Sequence, residues 1–163
     1  MNDSRHLDWP FFEAHHRTLA IEMHRWAAGL LVEETEHGVD KACCRLVRQL
    51  GADGWLKYAV GGTAFGGSSD TIDTRAICLI RETLARHSGL ADFAFAMQGL
   101  GSGAITLFGT LGQKKKYLPA VAKGQAIGLL PFVLTAGVPL LGTAVAICFA
   151  TWRIKSERYV LGV

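Results

Sequence analysis

From Phe93 to Gln113 the chain carries no charged residue, and from Gly124 to Trp152 it carries none again. No other feature constrains the fold as strongly, because each run meets the roughly 20 residues that a bilayer-spanning helix needs. The segment between them, KKKYLPAVAK (Lys114–Lys123), is basic, so a two-helix hairpin with that loop inside would obey the positive-inside rule. The first run argues against such a span. Gln98, Ser102, Thr106 and five glycines make it resemble a helix buried within a protein. The second run ends in LLPFVLTAGVPLLGTAVAICFATW (Leu129–Trp152), with Arg153, Lys155 and Arg158 just beyond. Pro131 and Pro139 would kink a spanning helix without forbidding one, so membrane insertion of residues 126–152 stands as a competing reading.

The rest of the chain surrounds the first run with amphipathic helices. Phe12, His16, Leu19, Met23, Trp26 and Leu30 recur at helical spacing and predict a long helix over residues 9–35. Asp8 is placed to cap it, with Pro10 in the first turn and Gly38 at the end. A second helix is expected over Asp40–Leu50, with Cys43, Leu46, Val47 and Leu50 on one face. The glycine-studded stretch GADGWLKYAVGGTAFGGSSD separates it from a third. That third helix starts near Ser69 or Asp70, buries Ile72, Ala76, Ile77, Ile80 and Leu84, and ends at His87-Ser88-Gly89. The fourth, Leu90–Gly109, is apolar nearly all round and so central to the bundle. A short fifth follows Gly112 and turns Tyr117, Leu118 and Val121 inward. The expected fold class is all-α: an orthogonal or up-down bundle of four to five helices with an irregular or helical apolar C-terminal segment. At 163 residues, half of them apolar, the chain can bury a sizeable core.

Charge and cysteines narrow the function classes. Residues 1–92 hold ten bases against thirteen acids, and residues 93–163 hold seven bases against one acid, Glu157. A formal charge of +3 is too modest to argue for nucleic-acid binding. Cys43, Cys44, Cys78 and Cys148 show neither a disulfide framework nor a Cys/His ligand spacing, and read as buried, reduced thiols of a cytoplasmic protein. The N-terminus, MNDSRHLDWP, lacks the apolar core of a signal peptide. The Glu-x-x-His pairs Glu13/His16 and Glu34/His37 have the spacing of di-iron bundles. Both fall on one helix, roughly 30 Å apart, which leaves a solvated polar face as their reading and no metal site. Gly99-Leu-Gly-Ser-Gly-Ala104 fits the dinucleotide fingerprint, yet no acid stands between Asp92 and Glu157 to hold a ribose. These glycines read instead as places of close approach by a helix or ligand. Lys114–Lys116 reads as a solvated run. No catalytic group stands out from the residues alone.

Order and spacing over Leu84–Gly128, LARHSGLADFAFAMQGLGSGAITLFGTLGQKKKYLPAVAKGQAIG, resemble the N-terminal helical domain of the acyl-CoA dehydrogenase family. The resemblance runs upstream through the GADGW turn (Gly51–Trp55) and the FGG loop (Phe65–Gly67), and covers about residues 9–128. It implies FAD-dependent conversion of an acyl-CoA thioester to its 2,3-enoyl thioester. A carboxylate removes the α-proton while a hydride leaves the β-carbon for the flavin, and electron-transfer flavoprotein takes the electrons onward. It also implies that Phe93, Ala96, Met97 and Leu100, on one helical face, line the acyl-chain pocket; ordinary core packing is the competing reading of that face. After Gly128 the family continues into a flavin-contacting Thr/Ser-Glu-Pro segment. Here Thr135 matches and Thr143 echoes the pattern, but the glutamate and aspartate are absent.

These departures divide the chain into an N-terminal helical domain, residues 1–128, and a divergent apolar segment, 129–163, in place of the start of a flavin-binding β-domain. The closing ERYVLGV resembles the family again, the pattern a compensated frame shift would leave. The expectation is a truncated chain that lacks the family's catalytic base and retains no FAD, inactive alone, with a homo-oligomer among the assemblies the resemblance allows. A non-catalytic helical interaction domain and a small membrane-anchored protein are the alternatives.

Overall fold

A computed structural model describes residues 5–30 and 38–126. The chain divides into two units, Met1–Pro131 and Phe132–Val163, and all described residues belong to the first. The described residues form five α-helices: α1 (Ala14–Ala28), α2 (Val39–Ala52), α3 (Thr74–His87), α4 (Gly89–Phe108) and α5 (Leu111–Ala122). Short 3₁₀ turns lie at Arg5–Asp8, Trp55–Ala59 and Thr63–Phe65, and no strand occurs among the described residues. The all-α expectation is met. None of the described helices is long and apolar enough to cross a membrane; the stretch 127–152 lies outside the described residues.

Local chemistry sets where each helix begins. α1 starts at Glu13 rather than Asp8, because the Arg5–Asp8 turn and the residues after it fold back beside the helix. Arg17 Nε donates to the Leu7 carbonyl at 3.0 Å, and the Phe12 ring meets His6 and His16 edge-on. His16 occupies the third helical position and accepts the Glu13 N–H on Nδ1 at 3.1 Å, satisfying one of the donors a helix start leaves orphaned. α3 begins at Asp73, later than the sequence suggests. Asp70 is drawn away to accept from the Thr63 N–H and hydroxyl, while Asp73 Oδ1 caps the Arg75 and Ala76 N–H groups. Ser88 ends α3 and caps α4, accepting from Ala91 N–H. Thr110 and Gln113 form a reciprocal capping box at the start of α5.

α4 packs against α3, α2, α5 and the 55–59 turn, while α1 packs on α3. One core joins Leu19 and Met23 of α1, Leu46 and Leu50 of α2, Ile80 and Leu84 of α3, and Phe95 of α4. A smaller one gathers Val60, Ile105, Leu118 and Val121. On α2 the inward stripe is Ala42, Leu46, Val47 and Leu50, with Cys43 only half-buried, a shift of one residue from the expected face. The closing contact between α2 and the end of α5 is made by backbone. A Cβ on Gly51 would collide with the Lys123 carbonyl and Gly124 N, and one on Gly124 (φ 66°) with the Val47 carbonyl. Ser102 Oγ lies 2.8 Å from both the Ala59 and Gln98 carbonyls and ties α4 to the 55–59 turn. A bidentate Arg81–Asp92 pair, 2.8 and 2.9 Å, closes the α3–α4 corner.

α4 is central, but it is not buried all round. Leu100 and Leu107 are 67% and 63% exposed, and Phe108 at the helix end is 87% exposed. The helix reads as apolar on every side because its outer face is apolar too, and the described residues leave that face open.

Candidate functional site: an apolar cleft between two helices

Two of the four expected pocket residues come together with a wall that sequence reasoning did not assign. Phe93 and Met97, one turn apart on α4, line a cavity of about 320 Å³ whose opposite side is Cys43, Cys44 and Val47 of α2. Such a size falls at the low end of small-molecule sites, and the lining is suited to an apolar ligand. Ala96 and Leu100 do not line it. Ala96 is half-buried and Leu100 points its side chain outward on the same face of α4. Thr135 and Thr143, assigned to the flavin by resemblance, lie outside the described residues.

Asp40 at the start of α2 and Gln98 on α4 supply the cavity's polar groups. Burial, then the Asp40 carboxylate and the adjacent Cys44, push the Cys43 thiol up. A thiol held protonated is a poor nucleophile, so Cys43 contributes wall rather than chemistry. The α2 wall had a faint signal in sequence: Cys43 and Val47 are four residues apart on the expected apolar face.

A second cluster joins the starts of α1 and α3. His16 is completely buried and its Nε2 lies 2.9 Å from Asp73 Oδ2, while His15 Nε2 lies 3.5 Å from the same oxygen. The two imidazoles overlap with centroids 3.9 Å apart. Arg75 completes the cluster by pairing with Glu13 at 3.0 Å and donating to the Phe11 carbonyl at 2.8 Å. Burial raises the Asp73 carboxyl, but the His16 hydrogen bond, the Ala76 N–H and the His16 and His15 rings outweigh it and bring it down to about 2. The ligating atoms of His15, His16 and Asp73 lie within 4.8 Å of one another. Even so, His16 cannot serve as a metal ligand in this arrangement. His16 Nδ1 accepts the Glu13 N–H, so the ring proton sits on Nε2 and points at Asp73. Neither nitrogen has a lone pair to give, and the cluster is a hydrogen-bonded lock.

That lock corrects the reading of Glu13/His16 as a solvated pair. Glu13 is exposed, whereas His16 fills its place in the buried stripe of α1. Glu34/His37 lies outside the described residues. Gly99–Ala104 lies wholly inside α4, which is not the strand-turn-helix context a dinucleotide fingerprint requires. Lys115 and Lys116 are exposed, and Lys116 Nζ sits over the Tyr117 ring at 5.1 Å.

Residues 13–125 match the family model described as acyl-CoA dehydrogenase, N-terminal domain, over more than half of the chain. No curated protein matches the chain.

Proposed function

The chain belongs to the acyl-CoA dehydrogenase family, and from that premise we propose that α2 and α4 form one wall of a site for the tail of a fatty acyl thioester. Phe93 and Met97 contact the tail inside the cleft, and Ala96 and Leu100 extend the same apolar face beyond it. The observation that carries this reading is the 320 Å³ apolar cavity bounded by Phe93, Met97 and Val47. Its physical role is to bind and orient the chain and to exclude water. Each methylene transferred from water contributes about 0.8 kcal/mol.

In this family FAD accepts the hydride. The lining of the cleft does not fit that group. The charged side chain on the cleft is the Asp40 carboxylate, which repels a pyrophosphate, and the lining offers no cation to hold one. The flavin contacts proposed for Thr135 and Thr143 belong to the segment 129–163, which we read as a unit separate from the helical domain 1–128. By family, the electrons pass to electron-transfer flavoprotein and the protein assembles as a homo-oligomer in the cytoplasm.

A second reading, a helical interaction domain without catalysis of its own, is favoured by the open apolar face at Leu107, Phe108 and Leu111. Binding of acyl-CoA by the full chain separates the two. Titration with C4, C8 and C12 acyl-CoA followed by calorimetry is expected to show affinity rising with chain length, free CoA to bind weakly, and Met97→Asp to remove the chain-length dependence. Equal affinity for free CoA and acyl-CoA, or a Met97→Asp chain that discriminates as before, would overturn the acyl-wall reading in favour of the interaction domain.

A further inference from the structure

His24 and His87 meet at the opposite end of the α1–α3 pair from the His16–Asp73 lock. His24 stands on α1 four residues before its last residue, Ala28, and His87 is the last residue of α3. His24 Nδ1 and His87 Nε2 lie 3.2 Å apart, with ring centroids 5.0 Å apart and planes inclined at 52°. Both side chains are exposed, so solvent and ions reach the pair freely.

We propose that these two imidazoles form a metal-binding clasp for a borderline dication of the Zn²⁺, Ni²⁺ or Cu²⁺ class, with water in the remaining positions. The separation is the first argument. Two nitrogens bound to one tetrahedral zinc at 2.0–2.1 Å stand about 3.3–3.4 Å apart, close to the spacing here. Donor chemistry is the second, since neutral imidazole suits Zn, Ni and Cu, while hard oxygen-seeking ions gain little from it. Electrostatics is the third. His87 sits in the last turn of α3, where the aligned carbonyl dipoles favour positive charge. The contrast with His15/His16/Asp73 is decisive. There the backbone fixes the His16 tautomer, whereas the proton between His24 and His87 can move to the far nitrogen of its own ring, which leaves both near nitrogens unprotonated for a metal. A bound ion cross-links α1 to α3 at the end that the Asp73 lock does not hold. The inference is independent of the acyl-wall reading.

Thermal unfolding of the full chain in rising Zn²⁺ tests it. The midpoint is expected to climb with the logarithm of zinc concentration, to fall back on chelation, and to become zinc-independent in His24→Gln and His87→Gln, while His15→Gln keeps the wild-type response. A zinc response that survives either clasp substitution, one lost in His15→Gln, or none at millimolar zinc overturns the proposal. Substoichiometric Cu²⁺ added to the unsubstituted chain gives a second readout, in case a variant fails to fold. Paramagnetic broadening of the His24 and His87 ring signals supports the clasp, and broadening confined to His15 or His6 refutes it.

Discussion

Asp73→Ala removes two things at once, and the structure lets each be sized. Oδ1 caps α3 through the Arg75 and Ala76 N–H groups, and losing an N-cap costs about 1 kcal/mol. Oδ2 accepts the proton of a fully buried His16, and leaving that donor unpaired costs about 1–3 kcal/mol. The substitution should therefore destabilise the chain by about 2–4 kcal/mol, a fall in Tm of roughly 6–12 °C for a domain of this length. Asp73→Asn should fall between wild type and alanine. Its side chain has one acceptor oxygen where two are in use, so it keeps either the cap or the His16 bond. The pH dependence follows in sign. The folded carboxyl, at about 2, lies below its unfolded value near 3.8. Its contribution is thus complete above about pH 4 and disappears as pH falls through 2. That gap corresponds to about 2.4 kcal/mol before solvent screening, and the partial exposure of Asp73 brings this to about 1–2 kcal/mol. Urea unfolding followed by circular dichroism at pH 5 and pH 2 measures the gap between wild type and Asp73→Ala. A gap under 0.5 kcal/mol at pH 5, on the scale of an ordinary surface change, or one that does not narrow with acid, would refute the lock.

Two glycine substitutions should have opposite signs. Gly51→Ala drives a methyl into the Lys123–Gly124 backbone and should cost about 2 kcal/mol or more, whereas Gly103→Ala, in an open position of α4, should gain about 0.5–1 kcal/mol. Denaturant midpoints distinguish them, and equal effects would contradict the packing described. Two hydroxyls on α4 should also differ. Ser102→Ala gives up a hydroxyl donor shared between the Ala59 and Gln98 carbonyls and should cost about 1 kcal/mol; Thr106→Val removes a buried hydroxyl with no partner among the described residues and should be neutral or slightly stabilising. A Thr106→Val variant less stable than Ser102→Ala would place the hydrogen bonding wrongly.

The helices were legible wherever period and punctuation agreed. The uncharged run gave α4 within a residue or two, because Ser88-Gly89 and Gly109 bound it and no charge interrupts it. The starts of α1 and α3 are not legible in the sequence for one reason: several acids compete for each cap. Asp8 and Glu13 both precede α1, Asp70 and Asp73 both precede α3, and only the loop's own hydrogen bonds decide between them. The candidate cleft was half legible. Spacing on α4 identifies a shared face for Phe93 and Met97 but cannot say that α2 lies opposite, since that depends on which helices pack. His16 shows the limit plainly. Its position in an apolar stripe announced burial, yet its partner is 57 residues away, and no local pattern names Asp73. The His24–His87 pair, 63 residues apart, is invisible for the same reason.

Where α2 rests on the residues after α5, main chain meets main chain from Val47 to Gly51 with no side chain between. Rotamers cannot widen such a seam, so the Val47–Gly51 end of α2 is held at a fixed distance from the residues after α5. In the proposed acyl site, room for a bulkier tail beside Val47 then comes from the opposite bank, by Phe93 and Met97 turning aside. Two pliable side chains there work against a wall anchored by its own backbone.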